Sequence, residues 1–185
     1  MRKGILFAAA LTVALVLKAH VTPNVVLVRR GDFVKASLPG ATRFFEKAFS
    51  APALAAVRSE TGWMPSGDDT KIYVGREESG RLVGTVVFLW MPSQHGPAGI
   101  GVAFGPDGTI RRATVTDIGT EPLVWVRPLL RDGVLSGLEG ASLAVSPDPA
   151  RIAPDASGAM SRYYAKVIAE GVGWAQAIEK VSKIS

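Results

Sequence analysis

Apolar residues in the middle of the chain recur with the period of β-strands. Two predicted strands flank a Glu-Glu-Ser-Gly turn at residues 77–80, and two more flank a Pro-Asp-Gly turn at residues 106–108. Glycine in such turns tolerates positive φ, which is the geometry of tight hairpins. The predicted strands are residues 72–74, 82–90, 100–104 and 109–118, with an irregular Gly-Pro-Ala-Gly connector at 96–99. Four strands in close succession predict an antiparallel sheet.

A helical period follows and reaches the end of the chain. Its apolar or small positions are Met160, Tyr164, Val167, Ile168, Gly171, Ala175, Ile178 and Val181. Ser157 and Ser161 stand where a helix N-cap is expected, and Asp155 adds negative charge before the first turn. A helix N-terminus presents free N–H groups, and small residues at 156–159 let a ligand approach the backbone, so the stretch suits a phosphate. An ordinary capped C-terminal helix explains the same residues.

A second helical region precedes the predicted sheet. Leu38 begins a predicted helix that has Pro39 at an early position, where its missing N–H costs little. A further helical piece at residues 53–60 ends at Gly62. Aromatic clusters of this kind are more often core than ligand contacts. We therefore expect core positions for the three phenylalanines of this region, Phe44, Phe45 and Phe49.

Together these elements predict the α+β class: an antiparallel sheet of about four or more strands with helices packed before and after it. A chain of 185 residues fits one domain with a substantial core. That domain is predicted to cover residues 38–185. Residues 24–37 are predicted to be a linker, with a short pairing strand as the alternative.

The first 23 residues predict a membrane anchor or an uncleaved signal. Residues 1–3 begin with a methionine and two basic residues, and residues 4–17 are nearly all apolar. That run fits a signal-peptide core and is short for a bilayer span, but no good small-x-small cleavage site follows it. If Lys18 snorkels, the helix extends to about Thr22, where Pro23 ends it. We therefore expect a retained N-terminal membrane helix, with a cleaved signal peptide as the alternative.

Composition removes several classes of chemistry. The chain has no cysteine, and its two histidines, His20 and His95, are far apart in sequence. Thiol catalysis and thiolate metal sites are therefore excluded, and we expect neither a metal site nor a histidine triad.

The net charge of +5 arises in residues 1–58, because residues 59–185 hold twelve basic against fourteen acidic residues. A nucleic-acid partner is not expected, since such a domain needs a basic face on its folded body.

The start of the final helix resembles a known cofactor-attachment motif. Residues 155–162 read Asp-Ala-Ser-Gly-Ala-Met-Ser-Arg. They are similar to the flavinylation box of the FMN-binding domain found in flavin-carrying subunits of the sodium-pumping NADH:quinone reductase and of the Rnf complex. That box reads Asp, one or two residues, then Ser/Thr-Gly-Ala-Ser/Thr-x-Ser/Thr. Here Met160 stands where the family has the hydroxyl that carries FMN through a phosphodiester, and Arg162 stands at the last position.

Two further stretches resemble the same family. The Leu-Pro-Gly-Ala-Thr-Arg-Phe sequence at residues 38–44 is similar to the family's opening and to its relatives in nitrous-oxide-reductase regulators. Thr120-Glu121-Pro122 resembles the family's Glu-(Thr)-Pro turn beside the flavin, although here Leu123 follows the proline. The order and spacing of these stretches extend the resemblance over roughly residues 38–178.

The resemblance implies FMN as the cofactor, bound without a covalent bond. The thioether of Met160 has no hydroxyl to esterify, and Ser161 is displaced by one residue, about 100° around a helix. Ser161 is therefore only a weak substitute acceptor. Thr120 and Glu121 are expected at the ribityl chain or ring edge. The backbone N–H groups of the helix start would hold the phosphate, with Arg162 adding charge. The residues expected there are Ser157, Gly158, Ala159, Met160, Ser161 and Arg162.

Two hypotheses of function follow. The first is a membrane-anchored electron-transfer subunit that holds FMN noncovalently and relays electrons to other subunits of a membrane complex, since FMN supplies its own redox chemistry. The second is an accessory subunit that keeps the fold, has lost the flavin and stabilises or assembles such a complex. In both, the N-terminal segment contacts lipid. The resemblance implies a bacterial inner membrane, crossed once, with the domain in the periplasm. Neither hypothesis requires catalytic side chains.

Overall fold

The computed structural model of the chain describes residues 23–48, 50–63, 70–154 and 156–182. Residues 1–22 of the predicted membrane segment, Phe49 and Asp155 lie outside this part. The helices are α1 (Arg30–Ser37), α2 (Ala51–Thr61), α3 (Leu123–Val126), α4 (Pro149–Ile152) and α5 (Ala159–Ser182). The strands are β1 (Asn24–Val26), β2 (Arg43–Lys47), β3 (Lys71–Arg76), β4 (Leu82–Met91), β5 (Ala98–Phe104) and β6 (Ile110–Gly119). None of the helices in these ranges is both long and apolar enough to cross a membrane.

The six strands form one antiparallel sheet in the order β1-β6-β5-β4-β3-β2, which curls into an open half-barrel. This confirms the α+β prediction and the two central hairpins. Their turns use Gly80 and Gly108, both at positive φ. The connector before β5 is shorter than expected, because Ala98 and Gly99 already pair with Met91 and Trp90 of β4.

Helices cover both faces of the sheet. Val87, Leu89 and Met91 of β4 contribute to the larger core beneath α5, whereas Val86 and Phe88 contribute to a smaller core beneath α1. Successive side chains of a strand point to opposite faces. Two-sided burial therefore explains why β4 reads as a nearly continuous apolar run instead of an alternating one.

Residues 24–37 belong to the fold, so the linker prediction is wrong for them. The alternative of a short pairing strand is confirmed at β1, where Asn24–Val26 pair with residues 117–119 of β6. The helix α1 follows directly, and its Phe33 and Val34 are buried in the smaller core. Residues 24–37 are therefore part of the domain.

The predicted helix beginning at Leu38 is also wrong. Helix α1 ends there, since Leu38 N donates to Val34 O at 3.1 Å and Gly40 has a φ of 90°. A helix through Pro39 would lose a hydrogen bond and clash with the preceding turn. Residues 43–47 instead form β2, an edge strand paired with β3.

The two phenylalanines of β2 are not core residues, which contradicts the prediction. Phe44 is 39% exposed and Phe45 is 50% exposed. The other helical prediction of this region is confirmed by α2, which Ser50 caps by accepting from Ala53 N and which ends at Gly62 with a φ of 72°.

Helix α5 packs closely on the sheet. A Cβ added at Gly171 would lie 2.7 Å from Met91 Cγ and 3.0 Å from Ile100 Cγ1. Farther along, the buried Thr85 of β4 donates a hydrogen bond to Glu179 Oε2 at 2.7 Å. Burial raises the pKa of the Glu179 carboxyl, while the Thr85 hydrogen bond and the charge of Lys47 oppose this shift.

A first prediction concerns the close contact between β4 and β5. A Cβ at Gly84 would lie 2.2 Å from the carbonyl oxygen of Phe104. Because that oxygen belongs to the backbone, Gly84→Ala is expected to lower the free energy of unfolding by about 1–3 kcal/mol. The control is Gly31→Ala in α1, which meets nothing within 4 Å and is expected to raise stability by at most about 1 kcal/mol. Urea denaturation measures both, and a Gly84→Ala protein as stable as the parent would contradict the described strand spacing.

A second prediction concerns Glu179 and pH. Its pKa is higher in the folded than in the unfolded chain, so its contribution to stability is fully present below the ordinary value of 4.5 and is lost as pH rises through the raised value. Glu179→Gln keeps an acceptor for Thr85 without a charge. We expect it to raise the free energy of unfolding at pH 7 by about 1 kcal/mol and to change little at pH 4.

Denaturation curves at both pH values test the Glu179 prediction. Glu170→Gln is the matched control, because Glu170 lies exposed on the same helix and should show no such difference. A loss of stability at pH 7 in Glu179→Gln would contradict the prediction, since it would mean that the ionised carboxylate is the stabilising form.

Candidate functional site

The candidate site lies where α5 begins. The helix starts at Ala159, and its first turn is closed by Arg162 N donating to Gly158 O at 3.1 Å. This confirms the predicted helix start within residues 157–162. Ser157 therefore precedes the helix and Ser161 lies in its first turn, where backbone N–H groups have no intrahelical partner.

A cleft of about 530 Å³ opens beside this helix start. Ser157 and Ser161 line it on one side, and Arg131 and Arg151 line it from two other segments. Its apolar wall comes from Val124, Pro128, Leu129, Ile152, Ala153 and Pro154. The volume lies within the range of roughly 300–1,000 Å³ typical of small-molecule sites. The cleft thus combines apolar surface with hydroxyl and guanidinium donors.

Arg131 is presented by a tight hairpin. Its backbone exchanges two hydrogen bonds of 2.9 Å with Val134, across Asp132 and Gly133, which have φ values of 49° and 74°. The hairpin is fixed to β6, because the Thr114 hydroxyl donates to Gly133 O. The base of Arg131 is therefore held by backbone contacts.

Arg151 is presented by the short helix α4. Asp148 caps that helix by accepting from Ala150 N at 2.9 Å. Gly137, another residue of the cleft, has a φ of 95°, and a Cβ there would lie 2.6 Å from Arg151 O. Only glycine permits this approach, so the segment that carries Arg131 and the one that carries Arg151 are in direct contact.

Two arginines without a carboxylate partner in the described part of the chain line the cleft. Within the described ranges, neither Arg131 nor Arg151 forms a salt bridge with a protein carboxylate. Two guanidinium groups and a helix N-terminus favour a phosphate or carboxylate group at one end of the cleft. Among the described residues, no three histidine or carboxylate side chains gather as a metal site would require.

The remaining predicted residues of the helix start lie differently. Met160 is partly buried and packs against the larger core, and it is absent from the lining of the cleft, whereas Ser161 belongs to it. The side chain of Arg162 is exposed and also lies outside that lining. Gly158 and Ala159 supply the backbone that begins the helix.

Thr120 and Glu121 lie beside the cleft and do not line it. Thr120 borders a neighbouring depression of about 440 Å³, which shares Val124 and Pro128 with the cleft. Its hydroxyl donates to Pro23 O at 2.8 Å, which ties the start of the domain to the end of β6. Glu121 lies 3.2 Å from His95 Nδ1. Of the predicted residues, Ser157 and Ser161 therefore line the cleft, Thr120 borders the neighbouring depression, and Glu121 lines neither.

A cluster of aromatic and polar side chains joins α5 to the loop between β4 and β5. Trp125 stacks on Tyr164 with a centroid distance of 6.1 Å and contacts His95 at 5.3 Å. The Ser93 hydroxyl donates to Gly96 O, so the Tyr164 hydroxyl donates to Ser93 Oγ over 3.2 Å. Burial raises the pKa of the Tyr164 phenol, which keeps this donor protonated. Trp125 is thus half-buried in a packing role.

Sequence reasoning missed Arg131 and Arg151. The Arg-Asp-Gly sequence at 131–133 signals a turn, but a turn does not indicate which cleft its arginine faces. The two arginines meet the helix start only through tertiary contacts, so no spacing in the sequence connects them.

No protein-family model, curated protein or solved structure matches the chain. The function is therefore inferred from the geometry of the cleft and from the resemblance of short motifs.

A third prediction tests the tyrosine contacts of α5. Tyr164→Phe leaves the Ser93 hydroxyl without its donor, and we expect the free energy of unfolding to fall by about 1 kcal/mol. Amide exchange at Ser93, His95 and Gly96 should become faster. Tyr163→Phe is the control, because the Tyr163 hydroxyl accepts from the exposed Gln94 N–H at 3.0 Å, which water can replace. Equal effects of the two variants would contradict this distinction.

Proposed function

We propose that the domain binds FMN noncovalently in the cleft at the start of α5 and serves as an electron-transfer subunit of a membrane complex. The observation that carries the proposal is that the start of a helix, two serines and two arginines line the same cleft, together with an apolar wall. The phosphate would lie at Ser157, Ser161, Arg131 and Arg151. The isoalloxazine ring would lie against the apolar wall.

The position of Met160 supports noncovalent binding. Its thioether cannot form a phosphodiester, and the side chain packs on the core. Two guanidinium groups would replace the missing bond with charge-assisted hydrogen bonds, which contribute about 1.5–3 kcal/mol each when they are made to a charged group. Bound FMN supplies the redox chemistry, and the residues of the chain bind and orient it.

Attachment to a membrane belongs to the same proposal. It is supported by the apolar run at residues 4–17 and the basic residues on either side of it. The periplasmic location and the neighbouring redox subunits are inferred from the resemblance alone.

A second candidate function is a flavin-free accessory subunit. The observation that favours it is β2, an edge strand whose five residues are all exposed and include Phe44 and Phe45. An exposed edge with aromatic side chains is suited to pairing with another chain. Its function would then be to dock the domain within a complex.

A fourth prediction separates these functions through the phosphate. The fluorescence of FMN should be quenched when FMN binds to the full chain. Riboflavin, which lacks the phosphate, should bind more weakly. Arg151→Gln is expected to weaken FMN binding about tenfold, roughly 1.4 kcal/mol, and to leave riboflavin binding unchanged. Arg162→Gln is the matched control, because it removes the same charge from the exposed side of the helix start.

The outcomes discriminate among the alternatives. Equal losses in Arg151→Gln and Arg162→Gln would place the phosphate outside the cleft. If the full chain, purified with its partners, shows neither a flavin absorbance band nor FMN binding, the electron-transfer proposal fails and the accessory function is favoured.

A further inference from the structure

A second basic surface lies on the other side of the Arg131 hairpin. It is a groove of about 760 Å³ between the end of α1, the start of β6 and residues 131–139. We call it the arginine groove and define it by Arg111, Arg112, Arg131, Ser37 and Ser136. It shares Arg131 and Ser136 with the cleft at α5 but has no contact with Ser157 or Ser161.

The guanidinium groups of the groove have free donors. Within the described ranges, Arg111, Arg112 and Arg131 form no salt bridge and donate no side-chain hydrogen bond to the protein. Asp132 and Glu139 also line the groove but pair with none of them. The nearby Asp107 carboxylate is stabilised by the charge of Arg111, so Arg112 and Arg131 are the freer pair.

The sheet register places Arg112 on the same wall as α1. Arg112 pairs with Ala103 of β5, and paired residues of antiparallel strands point to the same face. Ala103 belongs to the smaller core beneath α1. The C-terminal carbonyls of α1 together carry a negative charge of about half an elementary charge. This charge balances only part of the positive charge of one guanidinium group, so the donors of the other guanidinium groups remain unused.

Ser37 provides an independent observation. It is the last residue of α1, is 4% exposed and lines the groove. Its hydroxyl has no hydrogen-bond partner among the described residues. Serine in the last turn of a helix readily donates to a preceding carbonyl, but the Ser37 hydroxyl does not. The wall of the groove therefore holds a buried polar atom that no described protein group satisfies, and a ligand in the groove would reach it after a small movement of the side chain.

We propose that the arginine groove is a second anion-binding site and takes a phosphate-bearing ligand. Its donors come from three separate elements, and the tetrahedral oxygens of a phosphate accept from such converging directions, whereas a planar carboxylate suits one bidentate arginine. The phosphate belongs either to a soluble phosphate ester or to the headgroup of an anionic lipid. The groove shares Arg131 with the proposed flavin cleft, whereas Arg112 and Ser37 line the groove alone and therefore distinguish the two sites.

Titration calorimetry of the full chain with inorganic pyrophosphate tests the soluble form of the proposal. Arg112→Gln is expected to weaken binding about tenfold. Ser37→Ala should weaken it by a smaller factor while the melting temperature stays equal or rises, because a buried unpartnered hydroxyl is removed. Arg58→Gln, on the exposed side of α2, is the charge-matched control and should leave binding unchanged.

Cosedimentation of the full chain with vesicles tests the lipid form. Phosphatidylcholine vesicles with and without phosphatidylglycerol separate headgroup binding from any insertion of the N-terminal segment. A phosphatidylglycerol-dependent gain that Arg112→Gln abolishes supports the groove with lipid as the source of phosphate. A pyrophosphate isotherm that depends on Arg112, without such a gain, supports a soluble ligand.

The flavin measurements keep this proposal separate from the preceding one. Arg112→Gln should retain FMN binding, and pyrophosphate binding that is measured with the cleft filled by FMN should still weaken in Arg112→Gln. If pyrophosphate binding depends on Arg151 but not on Arg112, the anion occupies the cleft at α5 and the groove proposal is overturned. It is equally overturned if neither pyrophosphate nor phosphatidylglycerol binding responds to Arg112→Gln and Ser37→Ala.

Discussion

The packing of α5 on β4 and β5 is the contact on which the candidate site depends. Gly171 brings the helix close enough for Met91 and Ile100 to fill the space that a side chain would take. A helix held at that distance has little freedom to shift, since close-packed interiors transmit displacement. Its N-terminus is therefore fixed in front of Arg131 and Arg151, although both arginines belong to short connecting segments.

Much of this fold follows from local signals. The two central hairpins are encoded by strand periodicity and by Gly80 and Gly108, and α5 by its apolar spacing and small N-terminal residues. These are the cases in which a residue's neighbours in sequence are also its neighbours in space. The same reasoning finds one side of the cleft, the helix start with Ser157 and Ser161.

The elements that sequence reasoning missed depend on distant partners. Strand β1 has three residues and exists because β6 offers an unpaired edge some ninety residues later. The sequence of β2 is predicted as helix unless Pro39 is recognised as marking the end of the preceding helix. Its phenylalanines are predicted as core residues because the sequence alone does not show that β2 lies at the edge of the sheet. Arg131 and Arg151 are hidden for the same reason, because residues of connecting segments acquire a role only from the scaffold that positions them.

Met160 and Ser161 have different surroundings at the start of α5. Neighbouring residues of a helix are about 100° apart, and here Met160 packs on the core while Ser161 lines the cleft. The methionine is therefore a packing residue. It anchors the first turn, and a hydroxyl at position 160 would be directed toward apolar side chains. In the proposed site the phosphate is held by the cleft and not by residue 160, and the two arginines are suited to that task because their charge persists at every physiological pH.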